Sequence, residues 1–149
     1  MTTRAAAHAC ANCEGEAPDT CLMNPDRPPA VRTCPTRFAV SLLPEDFPDG
    51  DMWAVTVEYR GAGLWAVLHR TKYLGTDGTW SYGYQWEDGR DPVGDAEIDA
   101  YNAGEDTWRA THRFDQATAI KLAEQAARTV EVGRRTAAQA LADAKNEEA

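Results

Sequence analysis

The chain predicts an α+β fold: an antiparallel sheet of four to five strands, one helix packed on a face, a second short C-terminal helix, and an irregular Cys/Pro-rich N-terminal tail. Three observations carry that prediction. Runs within residues 37–88 and 108–114 alternate apolar and polar side chains with a period of two, as in a half-buried strand. Residues 116–130 change to a helical period. Residues 1–36 show neither period and hold five prolines and all four cysteines. The expected organisation is therefore a tail over 1–36 and a single domain over 37–149, in a chain whose 43% apolar content suffices for one core.

RFAVSLL (37–43) opens the sheet, and the turn-rich PEDFPDGD follows. In MWAVTVEYR (52–60), Trp53, Val55, Val57 and Tyr59 share one face, while Ala54, Thr56, Glu58 and Arg60 share the other. Gly61-Ala62-Gly63 supplies a short turn, so LWAVLHR (64–70) returns as the second arm of a hairpin. Gly75-Thr76-Asp77-Gly78 marks a further reversal into TWSYGYQWED (79–88), which makes residues 52–87 a three-stranded meander. Trp80, Tyr82, Tyr84 and Trp86 then line one face of the last strand. We assign them to the core, because a base-stacking platform needs surrounding positive charge and this run leads into acidic sequence.

EDGRDPVGDAEIDAYNAGEDT (87–107) mixes Gly, Pro, Asn and acids, and reads as a long acidic loop with one helical turn near 96–101. WRATHRF (108–114) reads as a further strand, with Trp108, Ala110, His112 and Phe114 in phase. Asp115 is an N-cap residue for QATAIKLAEQAARTV, whose apolar stripe of Ala119, Leu122, Ala123, Ala126 and Val130 is small enough to lie close to a sheet. Residues 130–133 are a short extended or turning piece. Thr136 and Gln139 form a capping-box pair at the start of the last helix.

The formal charge of −9 is unevenly placed: residues 76–107 hold nine acids against Arg90 alone, a local charge of −8. No Lys/Arg patch suits a phosphate backbone, so direct nucleic-acid binding is not expected. No apolar run approaches the roughly 18 residues of a membrane span, and no Leu-rich leader is present, so a cytoplasmic protein without membrane contact is expected. A dense anionic surface suits docking of a basic protein. Asp88, Asp91, Asp95 and Asp99 are the candidate interaction residues, with Trp86 as an adjacent exposed aromatic. The leading reading is a non-enzymatic accessory or protein-interaction protein that uses this acidic segment and the tail.

Cys10, Cys13, Cys21 and Cys34 admit two main readings, a structural zinc site or free thiols in an irregular tail, with disulfide or redox chemistry a third. For zinc, Cys10-x-x-Cys13 places two thiolates at adjacent corners of a tetrahedron, His8 can substitute for one sulfur, and metal binding supplies folding energy to a segment without a core. Against it, Cys21 and Cys34 stand alone rather than as a second pair. The alternative function that follows from zinc is a regulator of nucleic-acid transactions, acting by acidic mimicry or through a DNA-binding partner. A third reading, an unrecognised enzyme, rests on His69 and His112, which could meet across neighbouring strands. No nucleophile-elbow, metalloprotease, phosphate-loop or dinucleotide motif accompanies them.

Trp108, His112, Arg113 and Phe114, then Leu122, Ala123, Ala126 and Ala127, then Val130, Val132, Gly133 and Thr136 follow a pattern that resembles small uncharacterised proteins of actinobacteria and their phages or mobile elements. The pattern is a WxxxHRF strand, an Ala/Leu helix, a VxVG turn and a Thr-capped last helix. Trp65–Val67 and Trp80–Tyr82 extend the resemblance to residues 52–142. It implies no activity and carries over no functional residue.

Overall fold

The computed structural model describes Val31 and residues 33–148, and for Asp88 the backbone only. His8, Cys10, Cys13 and Cys21, candidate metal ligands by sequence, lie outside the described residues. The fold is α+β, and its compact unit begins at Pro35. Five antiparallel strands, β1 (Arg37–Val40), β2 (Val55–Tyr59), β3 (Trp65–His69), β4 (Lys72–Leu74) and β5 (Trp80–Ser81), lie in sequence order. Among the described residues three α-helices follow them: α1 (Gly94–Ala110), α2 (Gln116–Ala126) and α3 (Ala137–Glu147). A two-stranded hairpin of β6 (Glu131–Val132) and β7 (Arg135–Thr136) joins the last two.

The register pairs Val57 with both Phe38 and Val67, Val55 with Val40, and Leu74 with Trp80. Period-two alternation therefore gathers these side chains on one face. Ala119, Ala123, Ala126 and Ala127 bring α2 down onto that face, and Val55, Val57, Val67, Ala119 and Ala123 are fully buried. The small side chains explain the close approach. Asp115 caps α2 as its sequence position predicts, its carboxylate accepting from the Thr118 amide at 2.9 Å. The Thr136–Gln139 capping box is also formed.

A second apolar cluster joins Leu43, Trp53, Ala137 and Ala140, with Phe47, Val132 and Leu141 at its margin. The Trp53 indole donates to the Arg135 carbonyl at 2.9 Å, tying the start of β2 to β7. Gly133 and Arg134 both have positive φ, which matches a type I′ turn whose twist suits a two-residue hairpin.

Three elements differ from their sequence expectation. The meander over 52–87 has four strands and not three, because β4 folds back on the end of β3 through a tight turn in which Arg70 has positive φ. TWSYGYQWED is a strand only at Trp80–Ser81, because its partner β4 offers only Tyr73 and Leu74 as ladder residues. Trp80 reaches the core as expected, whereas Tyr82 is exposed and Tyr84 and Trp86 turn elsewhere. The larger correction concerns the acidic loop 87–107 and the WRATHRF strand. Residues 94–110 form one 17-residue helix, and only Phe114 makes a β-bridge, to Trp65. That bridge occupies the side of β3 that β4 has left, since β4 pairs only with Leu68 and His69.

Candidate functional site

At about 100° per residue, the residues of α1 divide into two opposed rows. Glu97, Tyr101, Gly104 and Trp108 form one row at i, i+4, i+7 and i+11, and each is half-buried. Asp95, Asp99, Asn102 and Asp106 form the other, and all are exposed. No residue of α1 is buried.

The inner row meets aromatic side chains from the sheet and from the coil after β5. Tyr101 packs edge-to-face on Tyr84 and Trp86 at centroid distances of 5.3 and 5.8 Å. Trp108 packs on Tyr73 at 5.3 Å and stacks on His112 at 4.3 Å. Gly104 is the point of closest approach: a Cβ there would collide with the Tyr84 hydroxyl and lie 2.8 Å from its Cζ. This seam explains why a segment rich in Gly, Asn and Asp is helical. Tertiary packing of one stripe, together with Ala96, Ala100, Ala103 and Ala110, outweighs weak intrinsic propensity.

The first turn of α1 has its own anchor. Arg90 grips Glu97 with two bonds of 2.7 and 2.9 Å, and Glu97 Oε2 accepts the Val93 amide at 2.8 Å. The Arg90 bond first, then the Val93 amide, hold the Glu97 carboxyl at about 2, below its ordinary 4.5. A folded-state pKa below the unfolded value gives stabilisation that is present above about 4.5 and lost as pH falls toward 2. The first turn of α1 is therefore expected to fray across that window, with the Glu97 side chain titrating near its low end by NMR. A Glu97 midpoint at the ordinary carboxylate value, or the same fraying in Glu97→Gln, would contradict the anchor.

The interaction residues expected from the sequence are only partly brought together. Asp95 and Asp99 share the outer face of α1, whereas Asp91 lies on the exposed segment before the helix and Asp88 in a single 3₁₀ turn over Glu87–Gly89. Among the described residues no salt bridge engages Asp95 or Asp99. Trp86, expected as an exposed aromatic, is half-buried. It packs against Tyr101, and its indole N–H is buried without a hydrogen-bond partner. Asp106 was missed by sequence reasoning, although its spacing of 7 and 11 residues from Asp99 and Asp95 is a helical signal once the segment is known to be helical.

His69 and His112 do not meet, and they line separate cavities. His69 Nε2 bonds the Met52 carbonyl at 3.0 Å. His112 lies where α1 ends, with Nδ1 2.8 Å from the Trp108 carbonyl and Nε2 3.1 Å from Ser81 Oγ. A carbonyl only accepts, so Nδ1 carries a proton, and in the neutral ring Nε2 accepts from the Ser81 hydroxyl. Both ring nitrogens are thus engaged in joining the end of α1 to β5, beside a cavity of about 680 Å³. Cys34 is exposed. Among the described residues no group of three or more His, Cys, Asp or Glu side chains is arranged to hold a metal ion, and no helix is long and apolar enough to cross a membrane.

No protein-family model, curated protein or solved structure matches this chain.

Proposed function

We propose that the protein is a non-enzymatic, cytoplasmic accessory protein that docks a basic protein partner on the outer face of α1. The observation that supports this reading is the division of α1 into two rows. The aromatic seam occupies one side, and Asp95, Asp99 and Asp106 stand in solvent on the other. Like charges at i, i+4 weaken a helix by about 0.2–0.5 kcal/mol, so Asp95 and Asp99 oppose the helix that carries them. A regular anionic row on a rigid element favours electrostatic steering of a complementary cationic surface, and screening by salt weakens it.

The test uses a synthetic Lys/Arg-rich peptide and two triple variants of equal net charge. Neutralising Asp95, Asp99 and Asp106 to Asn is expected to weaken binding about tenfold or more at low salt, an effect of about 1.4 kcal/mol. Converting Glu124, Glu131 and Glu147 to Gln, on exposed positions elsewhere, is expected to change it much less. Equal losses in the two variants would reduce the effect to net charge and overturn the proposal.

A further inference from the structure

The β2–β3 turn and the last turn of α1 border an open cleft of about 710 Å³ that three arginines line, Arg60, Arg109 and Arg113. Three arginines in one cleft stand out in a chain of net charge −9. Two of them have carboxylate partners. Arg60 bonds Glu58 at 2.8 Å, although Arg37 shares that carboxylate at 3.5 Å. Arg109 pairs with Glu105 at 3.0 Å and with Asp106 at 3.9 Å.

Arg113 differs. It is half-buried, and among the described residues no salt bridge joins it to a carboxylate. One Nη donates to the His112 carbonyl at 2.8 Å. Its guanidinium lies 5.5 Å from the Tyr73 ring centroid and 5.3 Å from that of Trp108, while Arg60 lies 5.6 Å from the same Tyr73 ring. Stacking against rings offsets part of the desolvation of a cation but supplies no counter-charge. Burial first, and then the charges of Arg60 and Arg109, push the Arg113 group below its ordinary value, with Tyr73 opposing. Arginine nevertheless stays charged at physiological pH.

We propose that this cleft binds a small organic anion through a single carboxylate or phosphate-type oxyanion, clamped by Arg113 and flanked by Arg60 and Arg109. The charges around the cleft decide the count. Arg37, Arg60, Arg109 and Arg113 face Glu58, Glu105 and Asp106, which leaves one positive charge unmatched. A planar guanidinium with free N–H groups suits either oxyanion through paired hydrogen bonds. The cleft volume lies in the range of small-molecule sites rather than of a bare ion, and Leu64 and Ala110 offer apolar wall to the rest of the ligand. This site is opposite in charge preference to the acidic row and meets it only at Asp106, which also lines the cleft.

The test follows the arginine Nε–Hε resonances of the full chain by NMR during titration with inorganic phosphate and, separately, with acetate, each at constant ionic strength against chloride. The Arg113 resonance is expected to move saturably with at least one anion; saturation by phosphate alone assigns a phosphate-type ligand, and by acetate alone a carboxylate. Arg109→Gln, at a half-exposed position where the fold should persist, is expected to weaken that saturation about tenfold; Arg113→Lys, followed on the Arg60 and Arg109 resonances, is expected to weaken binding by loss of the fork while the charge remains. Linear responses to both anions matching chloride would overturn the proposal. So would saturation of equal strength in Arg109→Gln and the native chain, once unchanged amide spectra confirm the fold.

Discussion

Trp65→Ala is expected to remove about 3–5 kcal/mol of stability, the usual cost of truncating a buried Trp. Trp65 is 7% exposed and packs against Phe38 at 5.4 Å and Tyr59 at 5.2 Å. Its backbone also exchanges two hydrogen bonds with Phe114, of 2.8 and 2.9 Å, so the residue joins the sheet to the segment between α1 and α2. Against a total of about 5–15 kcal/mol for an ordinary domain, such a loss leaves a marginal fold. Denaturant unfolding measures it directly. A change below about 1 kcal/mol would mean that Trp65 is not central to the core.

Gly104→Ala sets two effects against each other. On an isolated helix the substitution should stabilise by about 1 kcal/mol, because alanine is the better helix former. Here the new methyl would meet the Tyr84 ring, whose hydroxyl and Cζ already occupy that space. Overpacking typically costs about 1–3 kcal/mol, so the net change is expected to be destabilising and to be accompanied by faster amide exchange along α1. In a Tyr84→Ala background the obstruction is gone, and the same substitution should stabilise by about 1 kcal/mol. A stabilising Gly104→Ala in the native background would show that α1 does not rest on Tyr84.

The parts of the fold that were legible in the sequence are those with local signals. The alternation around Val55 and Val57, the alanine stripe of α2, Asp115 as N-cap and the Thr136–Gln139 box all encode their geometry within a few residues. Helix α1 carried no such signal. Val93 occupies its N-cap position without a side-chain cap bond, its first residue Gly94 has positive φ, and its half-buried aromatic and glycine stripe is short: Tyr101, Gly104 and Trp108. What makes that stripe stable is the set of rings it meets, Tyr73, Tyr84 and Trp86, which lie 15 to 35 residues away in sequence.

The same long-range pairing explains the aromatic run at Trp80–Trp86. Its period of two is real, but β4 begins at Lys72, directly after the turn from β3, so beyond Ser81, which pairs with Tyr73, the chain leaves the sheet. Tyr84 and Trp86 then turn to the helix that the acidic segment forms. The acidic segment was legible as charge and not as a surface. Only the helix separates Asp95, Asp99 and Asp106, which face solvent, from Glu97, which is spent on Arg90. Arg113 had no sequence signal as a ligand group, because its surroundings come from β2, β4 and α1 together.

Site-specific photo-crosslinking in cells probes whether the outer row of α1 is a docking face. A photoreactive amino acid placed at Asn102, between Asp99 and Asp106, is predicted to yield a discrete adduct with a basic protein that the Asp95/Asp99/Asp106→Asn variant abolishes, and that does not form when the irradiation is repeated in cell extract at high salt. The same group at Gln125, on the exposed side of α2, serves as the control. The absence of an adduct at position 102, or the same adducts at both positions, would contradict the assignment of α1 as the docking face.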